Sequence, residues 1–252
     1  MKTFKLTTAS VLLLGTTLGI GSLTVQADEI TQVHDTQAFV TFKASTEPVN
    51  PVNPLDPDED VTPVNPDDSP TDGGTNGPLS LDYASNLDFG ENVISTQDKT
   101  YQAKAQKLSD GSYVPNYAQV TDNRGTLKGW KLSIKQNAQL KTAESESLTG
   151  AAISFNNAEL ASISASTAPG TVTSSFTLTP GVEETLLVAG EGEGAGTWVY
   201  RFGTDANIDS SKKTTDSVTL SVPGSTEKLA KSYSASLTWT LKNVPENEET
   251  GA

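Results

Sequence analysis

The sequence has no cysteine, a single histidine and a single methionine, and its aromatic residues make up only 6% of the chain. Without cysteine there are no disulfides, no thiol nucleophile and no Cys-ligated metal. His34, the one histidine, stands near the N-terminus, so neither a Ser-His-Asp triad nor a His metal cluster can be assembled. A basic stripe is also missing. The formal charge of −14 is unevenly spread: residues 47–72 carry eight acids and no Lys or Arg, whereas Leu79–Val244 holds 17 acids against 14 bases, a net of −3. The near-neutral region therefore offers no footprint for nucleic acid or for electrostatic docking on an anionic surface. After the first twenty or so residues no run is apolar and long enough to cross a bilayer, so no membrane insertion of the mature chain is expected. No catalytic residues, metal or cofactor are expected.

The start of the chain reads as an export signal. Lys2 and Lys5 precede an apolar stretch from Val11 to about Ile20, and Val25-Gln26-Ala27 is a small-residue cleavage site. The expected organisation is a signal peptide (1–27), an N-terminal arm (28–47), a Pro/Asp-rich linker or loop (48–78), a β domain (79–244) and an acidic tail (245–252). Within the arm, 37–43 (Gln-Ala-Phe-Val-Thr-Phe-Lys) is strand-like. It is either a disordered arm or a strand that returns to the main domain, and the cost of leaving Phe39 and Phe42 in solvent favours the second. In the linker, Pro48, Pro51, Pro54 and Pro57 recur every third residue, the period of a polyproline II helix. Fully extended, that segment reaches on the order of 90 Å at about 3.1 Å per residue. Asp56-x-Asp58-x-Asp60 opens like a calcium loop, but Val61 occupies the glycine position and prolines interrupt it. An exported domain without disulfides needs a real hydrophobic core, and the remaining length suffices for one.

From Leu79 onward the pattern is that of short strands punctuated by turns such as Asp110-Gly111, Pro180-Gly181 and Pro223-Gly224. The fold class expected is all-β, a single β-sandwich or barrel-like domain. Only Asp98–Lys107 has the look of a short helix. Two strands stand out. Trp130, Leu132 and Ile134 alternate with Lys131, Ser133 and Lys135; about a hundred residues later Tyr233, Ala235, Leu237, Trp239 and Leu241 alternate with Ser234, Ser236, Thr238, Thr240 and Lys242. Period-two alternation means one apolar and one wet face. The pattern puts Trp130, Leu132, Trp239 and Leu241 on the apolar face as core residues. The alternative is that the two indoles stack on a sugar face at a sheet edge.

Two other motifs invite chemistry without supporting it. Gly190-x-Gly192-x-Gly194-x-Gly196 resembles a phosphate loop. It lacks a lysine, carries Glu191 and Glu193, and leads into a strand, so it reads as a flexible loop. Asp122-Asn123-Arg124-Gly125 reads as a turn with an internal ion pair.

Taken together, these motifs resemble the WxL-domain surface proteins of Gram-positive bacteria. The residues that carry the resemblance are Leu79-Ser80-Leu81, Leu87-Asp88-Phe89-Gly90, Val120–Gly125, Gly129-Trp130-Lys131-Leu132 and Tyr233–Leu241. The resemblance implies a secreted, non-catalytic protein on the cell surface. It would be attached non-covalently to cell-wall peptidoglycan; the alternative is a protein–protein module that docks onto a membrane-anchored WxL-interacting protein, with wall association indirect. It also implies that Trp130, Leu132, Trp239 and Leu241 are the signature of binding or of fold.

Overall fold

The computed structural model describes residues 31–243; the expected signal peptide and acidic tail lie outside them. The chain divides into two compact units between Thr41 and Phe42. In the first, residues 31–41 form neither helix nor strand. The strand expected at 37–43 is not formed, and Phe39 and Phe42 are each 88% exposed. Its two phenylalanines fall on opposite faces of an extended chain, so no single pairing would bury both.

The second unit is all-β. In chain order its strands are β1 (Val52–Asn53), β2 (Asp56–Asp60), β3 (Leu79–Ala84), β4 (Lys99–Lys104) and β5 (Gln106–Lys107). Next come β6 (Tyr113–Val114), β7 (Tyr117–Asp122), β8 (Trp130–Gln136), β9 (Ala152–Phe155) and β10 (Ala158–Ala161). Then β11 (Thr171–Val172), β12 (Phe176–Thr177), β13 (Glu183–Ala189) and β14 (Gly196–Phe202) follow. Last are β15 (Ile208–Asp209), β16 (Thr214–Val222) and β17 (Leu237–Asn243). Two four-stranded sheets, β10-β14-β7-β3 and β11-β13-β8-β17, and a five-stranded sheet built on β12-β9-β16-β15 with β4 beside β16, surround one main core. Every pairing between named strands is antiparallel. The core's aromatic centre is Phe155, with Phe176 and Phe202 at ring separations of 4.7 and 4.6 Å.

Two expectations are corrected. Asp98–Lys107 is not a helix: β4 pairs with β16, and the period-two pair Tyr101 and Ala103 turns inward. The Pro/Asp segment does not run as an extended polyproline II helix. Its β1–β2 hairpin covers the outer face of the β10-β14-β7-β3 sheet, where Val52, Leu55 and Val61 close a second core on Tyr83, Tyr117 and Val199. Burying an aliphatic side chain of this size contributes about 1.5–3 kcal/mol, which offsets part of the entropy lost in ordering the segment. Beneath the hairpin lies a buried polar network. Asp82 accepts hydrogen bonds from Ser80 Oγ (2.5 Å), Thr121 Oγ1 (2.6 Å) and Gln119 Nε2 (3.0 Å). Gln119 in turn accepts from the Val52 amide (2.7 Å) and donates to the Asn50 carbonyl (2.9 Å). The acids of β2 stand along a strand and face outward. Same-face neighbours on a strand lie about 7 Å apart, so they fan out and do not converge on an ion.

Candidate functional site

The two Trp-x-Leu strands are hydrogen-bonded neighbours. β17 runs antiparallel to β8 with Trp239 opposite Ile134, Leu241 opposite Leu132 and Asn243 opposite Trp130. All four signature residues lie on the inward face. Trp130 and Leu132 are completely enclosed at 0% exposure, whereas Trp239 and Leu241 are half-buried against the same core. A ring with no accessible surface has no face to offer a sugar, so in this fold Trp130 cannot act by stacking.

Trp130 is held by the glycine-rich loop that leads into β14. Its indole Nε1 donates to the Gly194 carbonyl at 2.9 Å, and Trp198 Nε1 donates to the Ala195 carbonyl at 3.1 Å. Two buried indoles therefore find acceptors on adjacent residues of one loop, which a buried N–H requires. The loop is tied down. The Gly194 amide donates to the Thr167 carbonyl (2.8 Å), the Gly192 amide to the Leu127 carbonyl (2.8 Å), and the Glu193 carboxylate accepts the amides of Gly170 (2.7 Å) and Gly190 (2.9 Å). Gly194 has φ +72°, and a Cβ there would lie 2.7 Å from Trp130 Nε1. Gly129, just before Trp130, has the same φ, and its Cβ would meet the Ala189 carbonyl at 2.2 Å. The glycines permit close approach; they do not loosen the chain. The spacing was visible in the sequence, but the acceptor role of the loop was not.

Arg124 clamps the same strands from one end. Its guanidinium binds Asp122 through Nε (2.9 Å) and Nη2 (2.7 Å), donates through Nη2 to the Gly129 carbonyl (2.7 Å), and donates through Nη1 to the Asn243 side chain. One side chain thus joins the end of β7, the approach to β8 and the end of β17. The hydrogen bond to Asp122 raises the Arg124 pKa further above its ordinary value. Asn243 and Gly129 escape detection by sequence pattern, because both meet Arg124 only after the strands pair.

On the opposite, outward face of β8 and β17 stand Lys131, Lys135, Thr238, Thr240 and Lys242, with Glu183 of β13 alongside. Ser133 Oγ donates to Glu183, and Lys242 pairs with it at 3.4 Å; the Ser133 hydrogen bond, then Lys242, holds the Glu183 carboxyl below its usual pKa. Thr238 and Lys242 are exposed, and Lys131 and Lys135 half-buried. Among the described residues no three His, Cys, Asp or Glu side chains come together as a metal site.

A sandwich-like all-β unit whose paired Trp-x-Leu strands share one sheet defines the class of surface domain to which this molecule corresponds. The chain belongs to the WxL domain family, described as surface cell wall-binding, whose model matches residues 29–245. No curated protein and no solved structure matches the chain.

Proposed function

We propose that this domain attaches the chain to peptidoglycan without a covalent bond and without catalysis. The observation that carries the reading is the division of labour across the Trp-x-Leu sheet. The indoles face the core, while hydroxyl and ammonium groups of β8 and β17 stand on the outward face. Such a face suits a glycan, which is bound by many hydrogen bonds rather than by dense charge. Trp130, Leu132, Trp239 and Leu241 then act by positioning that face.

Co-sedimentation with purified sacculi tests this. Lys131→Gln combined with Lys135→Gln, which adds no like charge opposite Glu183, is expected to lower binding roughly tenfold, the effect of removing a central contact, with little change in the unfolding midpoint. Trp130→Ala is expected to lower binding only as far as it lowers the folded fraction. Unaltered sedimentation of the lysine variant moves the contact away from this face. No enrichment of the unaltered chain over a control protein ends the reading.

One observation favours a second route to the surface. β17 is paired only with β8 among the described residues, which leaves a sheet edge able to receive a strand from a membrane-anchored partner. Under that route, retention on cells disappears when the partner is deleted, and sedimentation with bare sacculi stays at the control level.

A further inference from the structure

Folding assembles a cationic cleft that no stretch of the sequence displays. A cavity of about 240 Å³ is lined by four lysines, Lys104, Lys107, Lys212 and Lys213, against one acid, Asp68. None of its lining residues comes from the Trp-x-Leu sheet. Its walls come from four separate parts of the chain, residues 64–68, Asn86, 104–113 and 212–213, that are locked to each other, Asn86 by its hydrogen bond to the Asn65 side chain (2.8 Å). The register of β4 and β16 sets Thr214 opposite Lys104, the Ala105 amide donates to the Lys213 carbonyl (2.9 Å), and the Val64 amide donates to the Lys107 carbonyl (3.0 Å). The cleft is therefore preformed, which lowers the entropy cost of binding.

Its chemistry is that of an anion site with partial neutralisation. Lys107 pairs with Asp68 at 2.5 Å, Lys104 with Asp88 at 2.7 Å and Lys212 with Asp209 at 3.1 Å; the latter two acids lie outside the lining. The Lys213 ammonium stands 5.1 Å over the Tyr113 ring. Both Asp68 and Lys213 hold left-handed backbone, φ +65° and +60°, where glycine would sit without strain. The chain keeps charged side chains at both positions. A second cavity of about 370 Å³ shares Lys104 and Lys212 and is lined further by Tyr101, Gln102, Asn92 and the acid Glu91.

We propose that this cleft binds successive phosphodiesters of an anionic polymer of the polyol-phosphate class. Every cation lining it is a lysine, a point charge with rotatable donors suited to phosphate oxygens. Two adjoining cavities joined by the shared Lys104 and Lys212 give a long ligand one continuous path. Nucleic acid fits less well, because Lys213 occupies a face of Tyr113 on which a base would stack. This site is independent of peptidoglycan attachment by the Trp-x-Leu sheet.

The test uses the mature chain and a purified polyol-phosphate polymer in a calorimetric titration at low salt. Parallel arms contain inorganic phosphate and single-stranded DNA at equal phosphate concentration. Lys212→Gln combined with Lys213→Gly removes two charges, and glycine suits the φ at 213. We expect about tenfold weaker polymer binding from the loss of two phosphate contacts, and weaker binding of the unaltered chain as salt rises. Lys99→Gln with Lys141→Gln, which removes two exposed charges elsewhere, should change binding by less than about twofold. If the double variant proves less stable by its unfolding midpoint, Lys212→Glu is the readout, since that side chain is 72% exposed. Equal polymer binding by the site variant, or an equal loss in the control variant, overturns the proposal. So does inorganic phosphate or DNA binding as tightly as the polymer. Sedimentation of the site variant with sacculi stripped of anionic polymer is measured separately and is expected to be unchanged, which keeps the two readings distinguishable.

Discussion

At the scale of single residues, two glycines separate conformational need from close packing. Gly125 and Gly194 both have positive φ, +68° and +72°, but a Cβ meets nothing within 4 Å at Gly125 and meets Ala189 Cβ at 2.6 Å and Trp130 Nε1 at 2.7 Å at Gly194. Gly125→Ala therefore carries only the left-handed backbone penalty, about 1–2 kcal/mol. Gly194→Ala adds overpacking of an enclosed indole and is expected to cost about 2–5 kcal/mol in all. Urea unfolding followed by tryptophan fluorescence compares the two, and equal losses would mean that the loop yields around Trp130. The same loop shows where residue-level reading of sequence stops. Four glycines at every second position look like slack, because neither the carbonyl that receives an indole proton nor the carboxylate of Glu193 that ties the turn is encoded by spacing.

At the scale of elements, the sheet holding both Trp strands depends on a link that crosses it at one end. Arg124 makes a two-pronged contact with Asp122 and reaches Gly129 and Asn243 besides. Lysine supplies one charge and no fork. Arg124→Lys is expected to destabilise the domain by about 1–3 kcal/mol, and amide exchange should rise first in β17, an edge strand that pairs only with β8 among the described residues. Protection in β17 equal to that of the unaltered chain would reduce Arg124 to a local turn residue. The inward set Leu237, Trp239 and Leu241 was legible because alternation is a local property, and so was the inward set of β8. Their side-by-side pairing was not legible, since register between strands a hundred residues apart leaves no trace in either strand alone. Asp98–Lys107 was misread for a related reason: a short segment shows either period until a neighbour selects one, and here β16 selects the strand.

At the scale of the whole molecule, the Pro/Asp segment belongs to the fold. Its apolar residues are few, and their partners Tyr117 and Val199 lie far along the chain, so the threefold proline period alone suggested an extended linker or loop. It is fastened over Asp82, whose pKa is raised by burial even though Ser80, Thr121 and Gln119 pull it down. A carboxyl with a folded pKa above its unfolded value binds its proton more tightly in the native state. Its contribution to stability therefore falls as pH rises from the ordinary Asp range through the raised value, and levels off above it. Asp82→Asn lacks this dependence while keeping the side chain's shape. Relative to that variant, the unaltered chain should lose urea stability as pH rises above about 4, the ordinary Asp value, and the loss should level off once the raised pKa is passed; parallel profiles would show that Asp82 is not strained by burial. The order of strands also bears on timing. Trp130 lies in β8, but the strand that lies beside it on one side is drawn from residues 237–243. A polypeptide emerging from its N-terminus has completed the first indole segment long before the second exists, and late, distant pairing delays core closure. Until Asn243 arrives, β8 has no partner on the β17 side, so a nascent chain that stops short of β17 should remain largely unfolded.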